Sequence, residues 1–230
     1  GLYIKIAQIV AEEFKLPLDR VTITATTTAK VPNTSATAAS SGTDLNGMAA
    51  YDATNKIKTR MTRVAAGHFG VAPEEIEFRQ NRVYAGNESL SFAEAAQMTW
   101  EQRESLSATG YYQTPDIHWD PITCTGSPFY YFSYGVAVSE VVIDTLTGEQ
   151  RTLRTDILQD CGKSLNPRID YGQIEGAFVQ GMGWLTSEEL VWDDKGQLLT
   201  HGPSTYKIPG SRDVPPEFNI HILEDAPNRV

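Results

Sequence analysis

The stretch from Val31 to Gly47 constrains the fold more than any other, because it leads a run of small residues into a long helix. Most of its side chains are small or carry a hydroxyl group, and Leu45 is the only large one. Ser40 or Ser41 is predicted as the N-cap residue of this helix, and the spacing from Ser41 to Asp44 fits a capping box. The apolar residues that follow recur at helical spacing.

A helix start of this kind suits a polar or anionic ligand such as a phosphate. The first amide groups of a helix lack intrahelical partners, and that end carries a partial positive charge. The small residues let another molecule approach the backbone, and the hydroxyl groups add donors and acceptors. These residues are Thr34, Ser35, Ala36, Thr37, Ala38, Ala39, Ser40, Ser41 and Gly42. The alternative interpretation is an ordinary serine-capped helix after a threonine-rich loop.

The hydrophobic pattern predicts helices mixed with strands along the whole chain. Helices are expected at 2–14, from the cap to Gly67, at 92–98 behind the capping box of Ser91 and Glu94, and at 169–184. Strands are expected at 21–26, 76–80, 82–85, 106–112, 130–144, 151–159, 188–192, 198–200 and 218–223. The predicted fold class is α+β, with two subdomains of helices packed on mixed or antiparallel sheets.

The predicted domain organisation places a first α+β subdomain at residues 1–112 and a linker at 113–128, which is rich in proline and polar residues. A second, β-rich subdomain with one glycine-rich helix follows at 129–230. The glycines of that helix lower its stability, so close backbone packing or the approach of a ligand is expected there. Gln173 lies early in this helix, and its amide can both donate and accept, which suits the edge of a heterocycle. The alternative is that Gln173 only caps or packs.

Composition excludes several classes of function. The net charge of −10 and the scattered basic residues argue against nucleic-acid binding. No apolar run reaches the ~18 residues that a membrane-spanning helix needs. Cys124 and Cys161 form no metal-binding or redox motif and are predicted to be reduced, as in a cytoplasmic protein. No cysteine cluster, paired histidines or dinucleotide fingerprint is present, so any electron-transfer centre is expected outside this chain.

Four stretches together resemble a known family, in the same order along the chain. They are Val31–Gly47, Ser105–Tyr111, residues 154–181 with Gly-Gln-Ile-Glu-Gly at Gly172–Gly176, and Gly202–Pro209. These stretches are similar to the molybdenum-binding portion of the xanthine dehydrogenase and aldehyde oxidase family. In detail they are most similar to the large, molybdopterin-binding subunit of the bacterial members. The resemblance covers almost the whole chain.

The resemblance implies an oxidoreductase that hydroxylates hypoxanthine and xanthine to urate, in purine catabolism. Its implied cofactor is molybdenum–molybdopterin, with [2Fe-2S] clusters and FAD on other segments or subunits of an oligomeric enzyme. The implied substrate is a purine or an aldehyde. The positions that match cofactor contacts of the family are Leu2, Lys5, Thr37, Ala38, Ala39, Ser40 and Gln173. One position departs from the pattern, because Gly42 stands where the family often has serine.

The family's general-base glutamate is expected downstream of Val230, and its substrate-binding arginine and phenylalanine upstream of Gly1. The chain is therefore expected to be a fragment that forms part of the cofactor wall and is inactive alone. One alternative is an aldehyde oxidase or another heterocycle hydroxylase of the same family. The other is a catalytically inert cofactor-binding or assembly module.

Overall fold

The computed structural model describes residues 1–27, 29, 30, 37 and 41–224. The chain divides into two compact units, Gly1–Ser127 and Pro128–Val230. Both units combine helical structure with small open sheets, which confirms the predicted α+β class. No helix in the described part of the chain is long and apolar enough to cross a membrane.

Three α-helices and a three-stranded antiparallel sheet are the main regular elements of the first unit. The helices are α1 (Leu2–Phe14), α2 (Gly42–Phe69) and α3 (Phe92–Glu101), and the strands are β1 (Ile76–Arg79), β2 (Arg82–Ala85) and β3 (Glu88–Ser91). The predicted capping box at α3 is confirmed. The backbone N–H of Glu94 donates to the Ser91 hydroxyl at 3.2 Å, and the Glu94 carboxylate accepts from the Ser91 N–H at 2.7 Å.

A hydrophobic core joins the helices of the first unit to its sheet. Its buried members are Phe14, Met61, Ala65, Phe78, Val83 and Ala95. The ring of Phe14 on α1 lies 5.3 Å from the ring of Phe92 and 6.1 Å from that of Phe78, measured between centroids. One aromatic side chain therefore links α1 to both the sheet and α3.

Two predicted strands of the first unit are wrong. Residues 21–26 form no strand, because no described strand pairs with their alternating β-branched residues. Residues 106–112 form no strand and lie along α2, whose side chains bond their backbone in place of a neighbouring strand. The Arg60 guanidinium donates to the carbonyl oxygens of Ser105 at 2.9 Å and Ser107 at 3.0 Å.

A short antiparallel hairpin lies inside the segment that the sequence predicts as a linker. It consists of β4 (His118–Asp120) and β5 (Thr125–Ser127), and it belongs to the first unit. The boundary between the two units follows Ser127. The domain limits drawn from the sequence stay a prediction.

The second unit is built on a mixed three-stranded sheet. Strands β6 (Gly135–Ile143) and β7 (Gln150–Gln159) pair antiparallel with a bulge at Glu140 and Val141, and β8 (Glu217–Ile222) pairs parallel with β7. Helix α4 (Pro167–Thr186) contacts β8 through the rings of Phe178 and Phe218, 5.2 Å apart. The predicted strands at 188–192 and 198–200 are reduced to one bridge between Trp192 and Leu198.

Candidate functional site

Helices α1 and α2 run parallel, so both begin at the same end of the first unit. Near their starts Leu2 packs against Gly42, and further along Ile9 packs against Gly47. Towards the other end, the Lys58 ammonium lies 3.4 Å from the Glu13 carboxylate. Because each helix start carries a partial positive charge, two starts at one end make a surface that favours an anion.

The side chains of Leu2 and Thr37 meet at the first residue of α2. A methyl group added to the buried Gly42 would lie 2.9 Å from Cγ2 of Thr37 and 3.0 Å from Cδ2 of Leu2. Such distances are shorter than ordinary carbon–carbon contacts. Glycine at position 42 therefore permits a close approach of three chain segments, which gives a physical reason for the departure from the family's serine. The structure thus brings together two of the predicted cofactor residues.

The start of α2 only partly follows the sequence prediction. Ser41 is the N-cap residue, as predicted, but its side chain makes no capping hydrogen bond and the predicted capping box is wrong. Its backbone dihedrals, φ −95° and ψ 1°, differ from the extended conformation that an N-cap residue usually adopts. The carboxylate of Asp44 in the first turn of α2 partly offsets the positive potential of that helix start. The first turn of α1 carries no acidic residue.

The remaining predicted contacts of the first unit are Lys5, Ala38, Ala39 and Ser40. Lys5 is half-buried one turn into α1, on the helix that starts beside Gly42. Ala38, Ala39 and Ser40 lie outside the described residues. The donors at this end of the unit, amides, a hydroxyl and an ammonium, fit the phosphate portion of an organic cofactor.

Gln173 lies in the second unit, near the start of α4. The helix is capped by Asn166, whose side-chain oxygen accepts from the N–H of Ile169 at 3.3 Å, and Pro167 occupies its first position. Gln173 follows two turns later and is exposed, and within the described residues its amide has no hydrogen-bond partner. Because Asn166 caps the helix and Gln173 is exposed, the structure supports neither the alternative that Gln173 only caps the helix nor the alternative that it only packs.

The glycines of α4 divide into an open group and a packed one. A methyl group added to Gly172, Gly176 or Gly181 would meet no other residue within 4 Å. At the other end of the helix, Gly183 is buried against Pro209 and the Glu188 carboxylate. The open space beside Gly172 and Gly176 adjoins Gln173, so a flat heterocycle has room to approach the helix backbone there.

A hydrogen bond that the sequence did not indicate secures the packed end of α4. The Tyr206 hydroxyl donates to the Glu188 carboxylate at 2.5 Å, and this bond raises the pKa of Tyr206. Glu188 is half-buried. The family-like stretch from Gly202 to Pro209 therefore packs on α4, and no spacing pattern in the sequence connects it to Glu188.

No group of three or more histidine, cysteine or carboxylate side chains in the described residues could hold a metal ion. Cys124 and Cys161 are free and exposed. The helix starts of the first unit offer amides, a hydroxyl and an ammonium, and α4 of the second unit, taken by itself, offers the side-chain amide of Gln173. The first group suits phosphate oxygens, and the side-chain amide suits the edge of a heterocycle, which are the two kinds of polar group that a pterin cofactor offers.

Comparison with known proteins agrees with the cofactor-binding role that the geometry indicates. The family model of the molybdopterin cofactor-binding domain matches residues 1–215. Xanthine dehydrogenase of Dictyostelium discoideum is 48% identical over 231 residues, which cover 99% of this chain and 16% of that protein. Xanthine dehydrogenase/oxidase of Felis catus is 46% identical over 229 residues, covering 100% of this chain and 16% of that protein.

Among solved structures, quinoline 2-oxidoreductase of Pseudomonas putida 86 superposes with a TM-score of 0.75 and 27% identity, over 96% of this chain and 28% of that one. CO dehydrogenase of Oligotropha carboxidovorans has a TM-score of 0.78 at 24% identity, over 96% of this chain and 27% of that one, and supports the fold alone. The chain thus spans about a sixth of the length of the curated relatives named above, 16% in each case. By the match over residues 1–215, this chain belongs to the molybdopterin cofactor-binding domain family.

Proposed function

We propose that this chain forms part of the molybdopterin-binding portion of a molybdenum hydroxylase, an oxidoreductase that converts hypoxanthine and xanthine to urate. The observation that carries the cofactor role is the pair of parallel helix starts at which Leu2, Thr37 and Gly42 meet. The purine substrate is supported by the identity of 44–48% to proteins named xanthine dehydrogenase or xanthine dehydrogenase/oxidase over nearly all of the chain.

The residues of this chain would bind and orient the cofactor. Amides at the starts of α1 and α2, with Lys5 and the hydroxyls of Thr37 and Ser40, would hold its phosphate side, while Ala38 and Ala39 leave space for it. Gln173 would bond the pterin edge, beside the open face of Gly172 and Gly176. The bound group itself supplies the two-electron redox chemistry.

The electron-transfer centres and the assembly of the intact enzyme are inferred from the same relatives. The electrons would leave through [2Fe-2S] clusters and FAD on other segments or subunits, in an oligomeric enzyme. A cytoplasmic location agrees with two free cysteines in the described chain.

A second candidate function is hydroxylation of another heterocycle, which the 27% identity to quinoline 2-oxidoreductase favours. Rates on hypoxanthine, quinoline and an aldehyde, measured with one preparation of the full-length enzyme, separate these substrates.

The Gln173 amide provides a direct test of the cofactor role. In the full-length enzyme, Gln173→Ala leaves polar groups of the cofactor unpaired at a cost of about 1–3 kcal/mol. That corresponds to a loss of cofactor affinity of roughly 5- to 150-fold. Molybdenum content per protein, measured by mass spectrometry of the metal, is expected to fall together with urate formation. The unfolding temperature of the cofactor-free protein is expected to stay unchanged, because Gln173 is exposed.

Gln180→Ala is the matched control, since Gln180 is also exposed and lies two turns further along α4. It is expected to retain molybdenum and activity. If both variants keep wild-type molybdenum content and rate, Gln173 does not hold the cofactor. If the wild-type full-length protein contains no molybdenum, the inert-module alternative replaces the enzyme.

A further inference from the structure

One family-like stretch has no part in the proposed cofactor contacts, and it lies along α2. We call residues 104–112 the strap. The strap runs antiparallel to α2: Glu104 pairs with Arg63, and further along the strap the Thr109 carbonyl accepts from the Lys56 ammonium at 3.1 Å. Its final contact is the N–H of Tyr111, which donates to the Asp52 carboxylate at 3.0 Å.

A latch of two charged residues holds the far end of the strap. The Lys56 ammonium lies 2.7 Å from the Asp52 carboxylate, so each residue binds both its helix neighbour and the strap. The hydrogen bond from Lys56, followed by that from the Tyr111 N–H, lowers the pKa of Asp52. The Asp52 carboxylate is therefore charged at neutral pH, and the latch is bonded to strap backbone on both sides of Gly110.

Gly110 is the point at which the strap touches the helix backbone. A methyl group on Gly110 would overlap the Ala49 carbonyl oxygen and would lie 2.8 Å from the Ala53 nitrogen. Ala49 and Ala53 are one turn apart on α2, so their small side chains form a flat seat. This seat sets the register of the strap.

The strap is attached by polar contacts and not by the hydrophobic core. None of its residues is buried, and Tyr111 is 76% exposed. No strap residue belongs to the cluster around Met61 and Val83. Solvent-exposed ion pairs and hydrogen bonds contribute little each, and segments with few buried apolar contacts open at a lower free energy than the core.

We propose that the strap opens as a unit while the core of the first unit stays folded, and that the Asp52–Lys56 latch sets how often it opens. Opening bares the α2 face that carries Ala49, Ala53 and Arg60. This inference does not depend on the proposed enzymatic function, because it uses only contacts between the strap and α2.

Limited proteolysis of the full-length protein tests the proposal. Chymotrypsin cleaves after large apolar and aromatic residues, and the strap supplies Leu106, Tyr111 and Tyr112. Mass spectrometry of the fragments identifies cuts at these three positions. Cleavage there is expected to depend only weakly on urea below the unfolding transition, because local opening exposes little surface. Lys56→Ala is expected to raise the rate roughly two- to tenfold, the scale of losing exposed polar contacts.

Lys58→Ala is the matched control, because Lys58 is an ion-paired lysine on the same helix that contacts Glu13 on α1 instead of the strap. It is expected to leave strap cleavage unchanged. Equal cleavage rates in the two variants would remove the latch from the proposal. A urea dependence of strap cleavage as steep as that of global unfolding would overturn independent opening altogether.

Discussion

The two units differ in how much apolar surface they bury. In the first unit, Met61 is 1% exposed and Val83 is fully buried within a continuous cluster. In the described part of the second unit, Ile157 and Pro215 are the only buried apolar side chains, and every residue of β6 is exposed. Val138 at the middle of β6 is 65% exposed. The helices and sheets of the two units are therefore held together by different interactions.

Polar interactions replace part of the core in the second unit. Thr155 on β7 is fully buried, and its hydroxyl lies 3.0 Å from that of Ser139 on β6. Asp156 accepts two hydrogen bonds from Arg154 and one from Asn219 on β8. The first unit therefore owes its stability to burial, whereas the second depends on its sheet and on directional contacts. Substitutions in both units test this contrast.

Met61→Ala is expected to have the largest effect, because it opens a cavity in the core of the first unit. Truncation of a buried methionine costs about 2–5 kcal/mol of unfolding free energy. Val138→Ala on the exposed strand β6 is the comparison, with an expected change within about 0.5 kcal/mol. Urea unfolding followed by Trp100 and Trp119 reports on the first unit, and Trp184 and Trp192 report on the second. Equal losses in the two variants would contradict the contrast in burial.

The two ends of α4 provide the second prediction. Gly183→Ala places a methyl group against Pro209 and the Glu188 carboxylate, and overpacking of this kind costs about 1–3 kcal/mol. Gly176→Ala meets no neighbour within 4 Å, so the helix is expected to gain about 1 kcal/mol from the better helix former.

Thermal unfolding of the cofactor-free protein, followed by Trp184 and Trp192, measures both variants. Opposite signs are expected for the two glycines. A stabilised Gly183→Ala variant would show that the packed end of α4 is not a tight contact. A destabilised Gly176→Ala variant would show that the open face already contacts another part of the protein.

Local signals in the sequence were enough to predict α1, the hairpin of β1 and β2, and the capping box of α3. Each depends on residues close together in the chain. The strands predicted at 21–26 and 106–112 failed because alternation alone cannot show whether a partner strand exists. At 106–112, Lys56 and Arg60 on α2 bind the carbonyl groups instead. Such long-range contacts have no spacing signature.

The candidate site was predictable from the sequence only in part. The small and hydroxyl residues before α2 indicated a ligand-facing helix start, but the parallel start of α1 beside it required the structure. The contact of Leu2 and Thr37 at Gly42 explains why glycine is placed there, which the sequence left as a departure from the family. Glu188 was missed because its partner, Tyr206, lies in a later loop.

The smallest expected effect is electrostatic and concerns Asp156 in the second unit. Hydrogen bonds from the Arg154 guanidinium and then from the Asn219 amide lower the pKa of Asp156 from 3.8 to about 2. A carboxyl group whose pKa is lower in the folded state stabilises the fold above its unfolded pKa, and this contribution is lost as pH falls through the folded pKa. The stabilisation from Asp156 is therefore present at pH 5 and declines between about pH 4 and pH 2.

Asp156→Asn removes this titration while keeping a side-chain oxygen in place for Asn219. The variant is expected to be less stable than the wild type at pH 5, with the difference shrinking at pH 2.5. Urea unfolding at both pH values, read from Trp184 and Trp192 in a protein with Trp100→Phe and Trp119→Phe, measures that difference. Glu217→Gln is the control, since its carboxylate lies 3.6 Å from Arg154 but accepts no hydrogen bond from it. If Asp156→Asn and wild type lose stability equally between pH 5 and pH 2.5, the polar network on β7 and β8 does not stabilise the second unit, and its sheet hydrogen bonds alone must do so.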